Sequence, residues 1–163
     1  MDAFARTFLP AAAEAGLPIV MISRHLPLLR RCVSPGETAL LVARAHRPGV
    51  RLAGQLVLLV TNRHMVVSRE SRLHRVRLHL AAELRQLSQV AWTAHPRAGV
   101  ELAATAADGV RERFWLPVRD PRRVRQLDAR LSHACWSRTV PPGAAPLGFA
   151  PRASARLAPT GAG

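Results

Sequence analysis

The chain has 163 residues, 48% of them hydrophobic, enough for one domain with a real core that needs no disulfide or metal staple. The formal charge is +14, yet the sequence has neither lysine nor tyrosine, and every strongly basic side chain is an arginine. Arginine, alanine and proline enrichment of this kind follows codon usage in a GC-rich genome, so the charge argues for anionic surfaces only in a non-specific way.

Cys32 and Cys135 are too far apart for a C-x-x-C motif, and they read as small, half-buried residues in a reducing cytoplasm. The apolar runs Leu17–Ile22 and Leu26–Leu29 are separated by Arg24-His25 and ended by Arg30-Arg31. Both fall short of the roughly 20 residues that span a bilayer. The start of the chain lacks a basic-then-apolar signal layout, so neither secretion nor a transmembrane helix is expected.

In chain order, residues 1–34 form a helical preface. Ala3 to Ala15 is helix-compatible but interrupted by Pro10, and Pro18 opens a second helix that Pro27 breaks or kinks. Ser34-Pro35-Gly36 is a turn, Thr38 to Ala45 a first strand, and His46-Arg47-Pro48-Gly49 a second turn. Val50 to Val60 alternates as a long second strand, with Gly54 marking a bend or bulge. Met65 to Ser68, Val76 to Leu80 and Ser88 to Ala94 read as further strands, with Ala81 to Leu87 a helical turn or a loop.

From Gly99 the pattern is strongest. Val100, Leu102, Ala104 and Ala106 alternate ahead of Asp108-Gly109; Val110, Glu112, Phe114 and Leu116 alternate behind it. This predicts a hairpin with a type I′ turn. Asp120-Pro121 caps a helix whose apolar positions are Val124, Leu127, Leu131 and Ala134. After Trp136 the chain becomes rich in Pro, Ala, Gly and Arg, which predicts a disordered tail over 137–163.

About seven strands followed by one helix is the layout of the pleckstrin-homology fold. The run Leu56-Val57-Leu58-Leu59-Val60-Thr61-Asn62-Arg63-His64-Met65-Val66-Val67 resembles the L-x-L-T-x-x-R-L-x-V segment of bacterial PH-like and GRAM-like domains, and Gly36-Glu37 fits the Gly-Glu upstream of it. The resemblance spans 35–136. It implies a mainly β domain: a partly open seven-strand barrel of two orthogonal sheets, plugged by the C-terminal helix. The phosphoinositide pattern of basic residues is not reproduced, since Arg44, His46, Arg47 and Arg51 form no Arg-x-Arg on the second strand. The whole chain also resembles actinobacterial proteins, a likeness that carries no function.

No catalytic constellation emerges. The histidines show no metal-ligand spacing, the serines (Ser68, Ser71, Ser88, Ser132) have no nucleophile signature, the carboxylates are scattered, and the glycines sit at turns. Neither an enzyme, a metal site nor a cofactor is expected. Two surfaces remain. Arg63, His64, Arg69, Arg72, His74, Arg75 and Arg77 form a basic cluster that can neutralise phosphates, or else a solvated face. Arg111, Arg113 and Trp115 share one hairpin face and suggest a cation–π interface, or an ordinary exposed strand face. The preface either lies in a membrane interface or packs against a barrel edge or opening.

The expected function is therefore a non-enzymatic PH-like binding or scaffold module of the cytoplasm, with a protein partner first. Peripheral binding to anionic lipid at the inner face of the membrane through the basic cluster and preface is the alternative. Non-specific nucleic-acid binding comes third, because the cluster contains no aromatic residue for base stacking.

Overall fold

The computed structural model describes residues 2–50 and 54–136; the expectations for 51–53 and for the tail over 137–163 lie outside the described residues. Helices α1 (Ala3–Glu14) and α2 (Ile19–Arg31) come first. Strands β1 (Ala39–Ala45), β2 (Gln55–Thr61), β3 (His64–Glu70) and β4 (Val76–Glu83) follow, then a 3-10 turn over Leu84–Gln86. Strands β5 (Gln89–His95), β6 (Gly99–Thr105) and β7 (Arg111–Pro117) lead into α3 (Pro121–Trp136).

The strands form two antiparallel sheets, in the orders β1-β2-β3-β4 and β5-β6-β7. They do not close into a barrel. No ladder joins β4 to β5, and β1 meets β7 through one bridge just past its end, His46 to Trp115. The mainly β architecture with a capping helix agrees with the sequence pattern.

Between the sheets lies the larger core. Leu41, Ala43, Leu56, Leu58, Val60, Met65 and Val67 face Val100, Leu102, Phe114 and Leu116. Helix α3 closes one side with Val124, Leu131 and Ala134. Asp120 caps it, its Oδ1 accepting from the Arg122 N–H at 2.9 Å. The Trp92 indole N–H donates to Asp128 Oδ1 at 2.8 Å, which ties α3 to β5.

A second core explains the preface. Val42, Val57, Leu59 and Val66 point away from the first core and are covered by Phe4, Phe8 and Ala12 of α1 and Met21 and Leu29 of α2. The two helices thus cover a sheet face, not the edge or opening the sequence suggested. For the same reason β2 does not alternate as read. Leu56 to Val60 is buried on both faces, and a strand covered twice reads as an unbroken apolar run. The prolines correct another expectation. Pro10 and Pro27 lie inside continuous helices. The cost of a missing hydrogen bond, about 3 kcal/mol, is offset by the side chains each helix buries.

Strand β4 runs on to Glu83, past the predicted end at Leu80, and only Leu84–Gln86 turns helically. The Asp108-Gly109 hairpin also differs. Gly109 has φ 84° but Asp108 has no positive φ, so the turn is not type I′. The Gly109 N–H donates to the Ala106 carbonyl at 3.0 Å and the Ala106 N–H to the Val110 carbonyl at 2.9 Å. This is the three-residue loop, a type I turn followed by a left-handed glycine. At Gly54 (φ 75°) a Cβ would stand 2.2 Å from the Glu70 carbonyl oxygen, so the expected bend is a close approach of β2 to β3.

Candidate functional site

The structure divides the basic cluster into two groups. Arg63 and His64 occupy the β2–β3 turn, while Arg69 to Arg77 surround the other end of β3, about 20 Å away at strand rise. His64 belongs to a buried staple. Its Nδ1 lies 2.9 Å from both carboxylate oxygens of Glu37, and Glu37 also accepts from Thr61 Oγ1 at 2.5 Å and the Ser34 N–H at 2.8 Å. Burial pushes the Glu37 carboxyl up, but the hydrogen bonds from Thr61, Ser34 and His64 outweigh it and hold it below the usual range. The residues that carried the family resemblance, Glu37 and Thr61 to His64, are here a structural clasp.

The other group is more open. Arg69 and Arg77 are direct cross-strand partners, on the same face of the sheet as Met65 and Val67, where β3 runs on past the core. Arg69, Arg72, Arg75 and Arg77 line one concavity with Leu73 and Leu78. Among the described residues none of these four arginines forms an ion pair, whereas Arg24, Arg30, Arg47, Arg85, Arg113 and Arg130 each reach a carboxylate. Glu112, held by Arg47 and His79 at 3.4 Å each, is the nearby acid.

The loop that presents these arginines has the same form as the β6–β7 loop. The His74 N–H donates to the Ser71 carbonyl and the Ser71 N–H to the Arg75 carbonyl, both at 2.9 Å. The left-handed position is taken by His74 (φ 56°), the only described non-glycine residue with positive φ. That substitution for glycine costs on the order of 1–3 kcal/mol. It is held by His74 Nδ1, 2.9 Å from Glu70 Oε1, which also accepts from Arg24 at 2.6 Å. The loop thereby places Leu73 at its tip, 79% exposed.

Arg111, Arg113 and Trp115 do lie on one face of β7, but not as a cation–π cluster. Arg113 pairs with Glu101, and the Trp115 ring packs near His95 with centroids 5.7 Å apart.

Two arrangements had no signal in the sequence. His25 of α2, 1% exposed, lies with Nδ1 2.7 Å from Ser68 Oγ and Nε2 3.7 Å from Glu70 Oε2. A Ser-His-Glu grouping of this kind has the residue types of a hydrolytic triad, but Ser68 is fully buried and no substrate reaches it. The second arrangement is a cleft between α1, β1 and α3, floored by Leu41 to Arg44 and walled by Ala11, Ala15 and Leu127. Arg130 of α3 closes on the Glu14 carboxylate at 2.6 Å, and Arg123 on the Glu14 carbonyl. Both arrangements join elements whose contributing residues lie 26 or more positions apart, which no local motif encodes.

Among the described residues no three His, Cys, Asp or Glu side chains gather as a metal site, and no helix is long and apolar enough to cross a membrane. The chain matches no family model, and no curated protein matches it significantly.

Proposed function

We propose that the protein is a non-enzymatic binding module of PH-like architecture, and that it docks on an anionic membrane surface through the β3–β4 end. The observation that carries this reading is the set of four unneutralised arginines around an exposed leucine. Six of the described arginines elsewhere reach a carboxylate; what marks this group is that four without an ion pair cluster in one concavity. Here Arg69 and Arg77 stand opposite each other at a cost, since like charges directly across a ladder repel. The strained His74 holds Leu73 at the tip. An apolar tip ringed by cations suits a lipid surface, where the leucine enters the interface and each arginine gains about 1 kcal/mol from anionic headgroups. Codon usage accounts for the number of arginines but not for the gathering of four of them around one exposed leucine.

A protein partner, the first expectation from the sequence, is carried by a separate feature, the edge of β1 beside α1 and α3. Nucleic acid is the least supported, because no Phe or Trp side chain lines the basic concavity.

Co-sedimentation with phosphatidylglycerol vesicles tests the membrane reading. Binding should exceed that of an unrelated protein of equal charge, fall steeply between about 50 and 300 mM salt, where the Debye length shrinks from about 14 to about 6 Å, and vanish with phosphatidylcholine. Replacing Arg72, Arg75 and Arg77 by glutamine, or Leu73 by serine, should release the protein without unfolding it. Binding no stronger than the charge-matched control would refute the reading.

A further inference from the structure

The cleft between α1, β1 and α3 contains an unfinished strand edge. His46 and Trp115 exchange both main-chain hydrogen bonds at 2.8 Å, so His46 points its N–H and C=O at β7. In an extended strand every second residue points the same way. Arg44 and Val42 therefore direct their polar main-chain groups away from β2, toward the side where β7 would continue.

β7 does not continue there. The position opposite Arg44 is held by Pro117, which has no N–H to give. The next residue, Val118, donates to the Ala98 carbonyl instead, at 3.3 Å. The chain then turns away into α3. Among the described residues no backbone partner beyond β7 reaches Val42, although Val42 is only 2% exposed. Main-chain groups left without a ladder partner are costly. The half-buried Arg44 is the open part of this edge. The Leu40 carbonyl accepts from Arg130 at 3.4 Å, so an added strand reaches Val42 only by displacing Glu14 from Arg130.

The surroundings specify what that strand would carry. Arg44, Arg123 and Arg130 line the cleft against one acid, Glu14. Glu14 already sits on Arg130 through two contacts of 2.9 and 2.6 Å, the position a ligand carboxylate would take. Leu127, Ala11 and Ala15 supply an apolar wall between the charges. We infer that this cleft binds an extended acidic segment of a partner protein, added to the edge of β1 at Val42 and Arg44, with carboxylates on the arginines and an apolar side chain against Leu127. The site is at the opposite edge of the four-stranded sheet from β4, so it stands or falls independently of membrane docking.

The probe is a blocked hexapeptide of alternating Asp and Val, titrated into the full chain and followed by NMR. Amide exchange at Val42 and Arg44 should slow at least tenfold on saturation. A peptide N-methylated at alternate residues, which keeps the charges but loses the strand-pairing donors, should bind at least tenfold more weakly, and a Lys-Val peptide should not bind. Arg44→Glu, a half-buried side chain without an ion pair, should abolish binding while the melting temperature holds. Leu127→Glu serves as a second variant from the apolar wall. Equal binding of the N-methylated peptide, or shifts confined to Arg69, Arg72, Arg75 and Arg77, would overturn the inference.

Discussion

His25 of α2 and Ser68 of β3 meet through a 2.7 Å hydrogen bond sealed from solvent, which together with the Arg24–Glu70 pair fixes the second helix on the sheet. The other ring nitrogen, Nε2, has no hydrogen-bond partner and lies 3.7 Å from Glu70 Oε2. Glu70 is itself held by His74 and Arg24. The helical preface is therefore pinned at the same point from which the strained β3–β4 loop springs.

This clasp makes stability depend on pH. Burial lowers the His25 pKa from 6.5, so the folded protein takes up a proton less readily than the unfolded chain. Stability is then complete above pH 6.5 and declines as pH falls below it. The charged groups facing the ring are Glu70, which partly opposes the shift, and Arg24, which adds to it. Further acidification removes another contribution. The hydrogen bond from His74, with help from Arg24, holds the Glu70 carboxyl below 4.5, so that its share is lost as pH falls through its lowered value. Denaturant midpoints measured from pH 8 down to 3 should drop in these two stages, and His25→Leu should remove the first. A flat profile between pH 7 and 5 in the parent protein would show that His25 charges without cost.

Two leucines on α3 should separate by burial. Leu131 is fully buried in the main core and Leu127 only partly, at its margin on the cleft. Leu131→Ala should cost about 2–5 kcal/mol, and Leu127→Ala about 1–2 kcal/mol, in chemical denaturation. Equal losses would mean that α3 is rotated about its axis relative to the sheets.

Two glycines test the turns. At Gly99 (φ 138°) a Cβ would lie 2.1 Å from the Leu116 carbonyl oxygen, which is backbone and cannot swing aside. Gly109 (φ 84°) faces open space. Gly109→Ala should therefore cost about 1 kcal/mol for the left-handed conformation alone, and Gly99→Ala clearly more. Thermal melts of the pair check the order. The reverse order would place strain at the β6–β7 loop rather than at the β5–β6 one.

These elements show what the sequence could and could not disclose. Alternation from Val100 to Leu116 and the Asp120 cap gave the last hairpin and α3, because local periodicity and capping act within a few residues. The turn type escaped because Asp-Gly serves a three-residue loop as readily as a two-residue one. The double burial of Leu56 to Val60 was present as an unbroken apolar run, but its cover lies some fifty residues upstream in Phe4 and Phe8. The basic cluster was visible as composition. Which arginines are neutralised was not, since Glu70, Glu101 and Glu14 reach their partners across the fold, from 12 to 116 positions away.

The last prediction turns on Arg69 and Arg77. Cross-strand partners of like charge destabilise a ladder, and an opposite pair contributes about 0.2–1 kcal/mol. Arg77→Glu should therefore raise the melting temperature, since it turns a repulsive pair into an attractive one beside Arg75 and Arg72. The same change should weaken binding to phosphatidylglycerol vesicles, because it takes two charges from the concavity. A site whose repulsion is kept for docking gains stability and loses binding together. Added salt should reproduce the stability gain in the parent protein and leave the Arg77→Glu variant nearly unmoved, because screening relieves repulsion only where repulsion exists. If Arg77→Glu lowers the melting temperature, Arg77 is a packing residue and the unneutralised arginines lose their meaning as a binding surface.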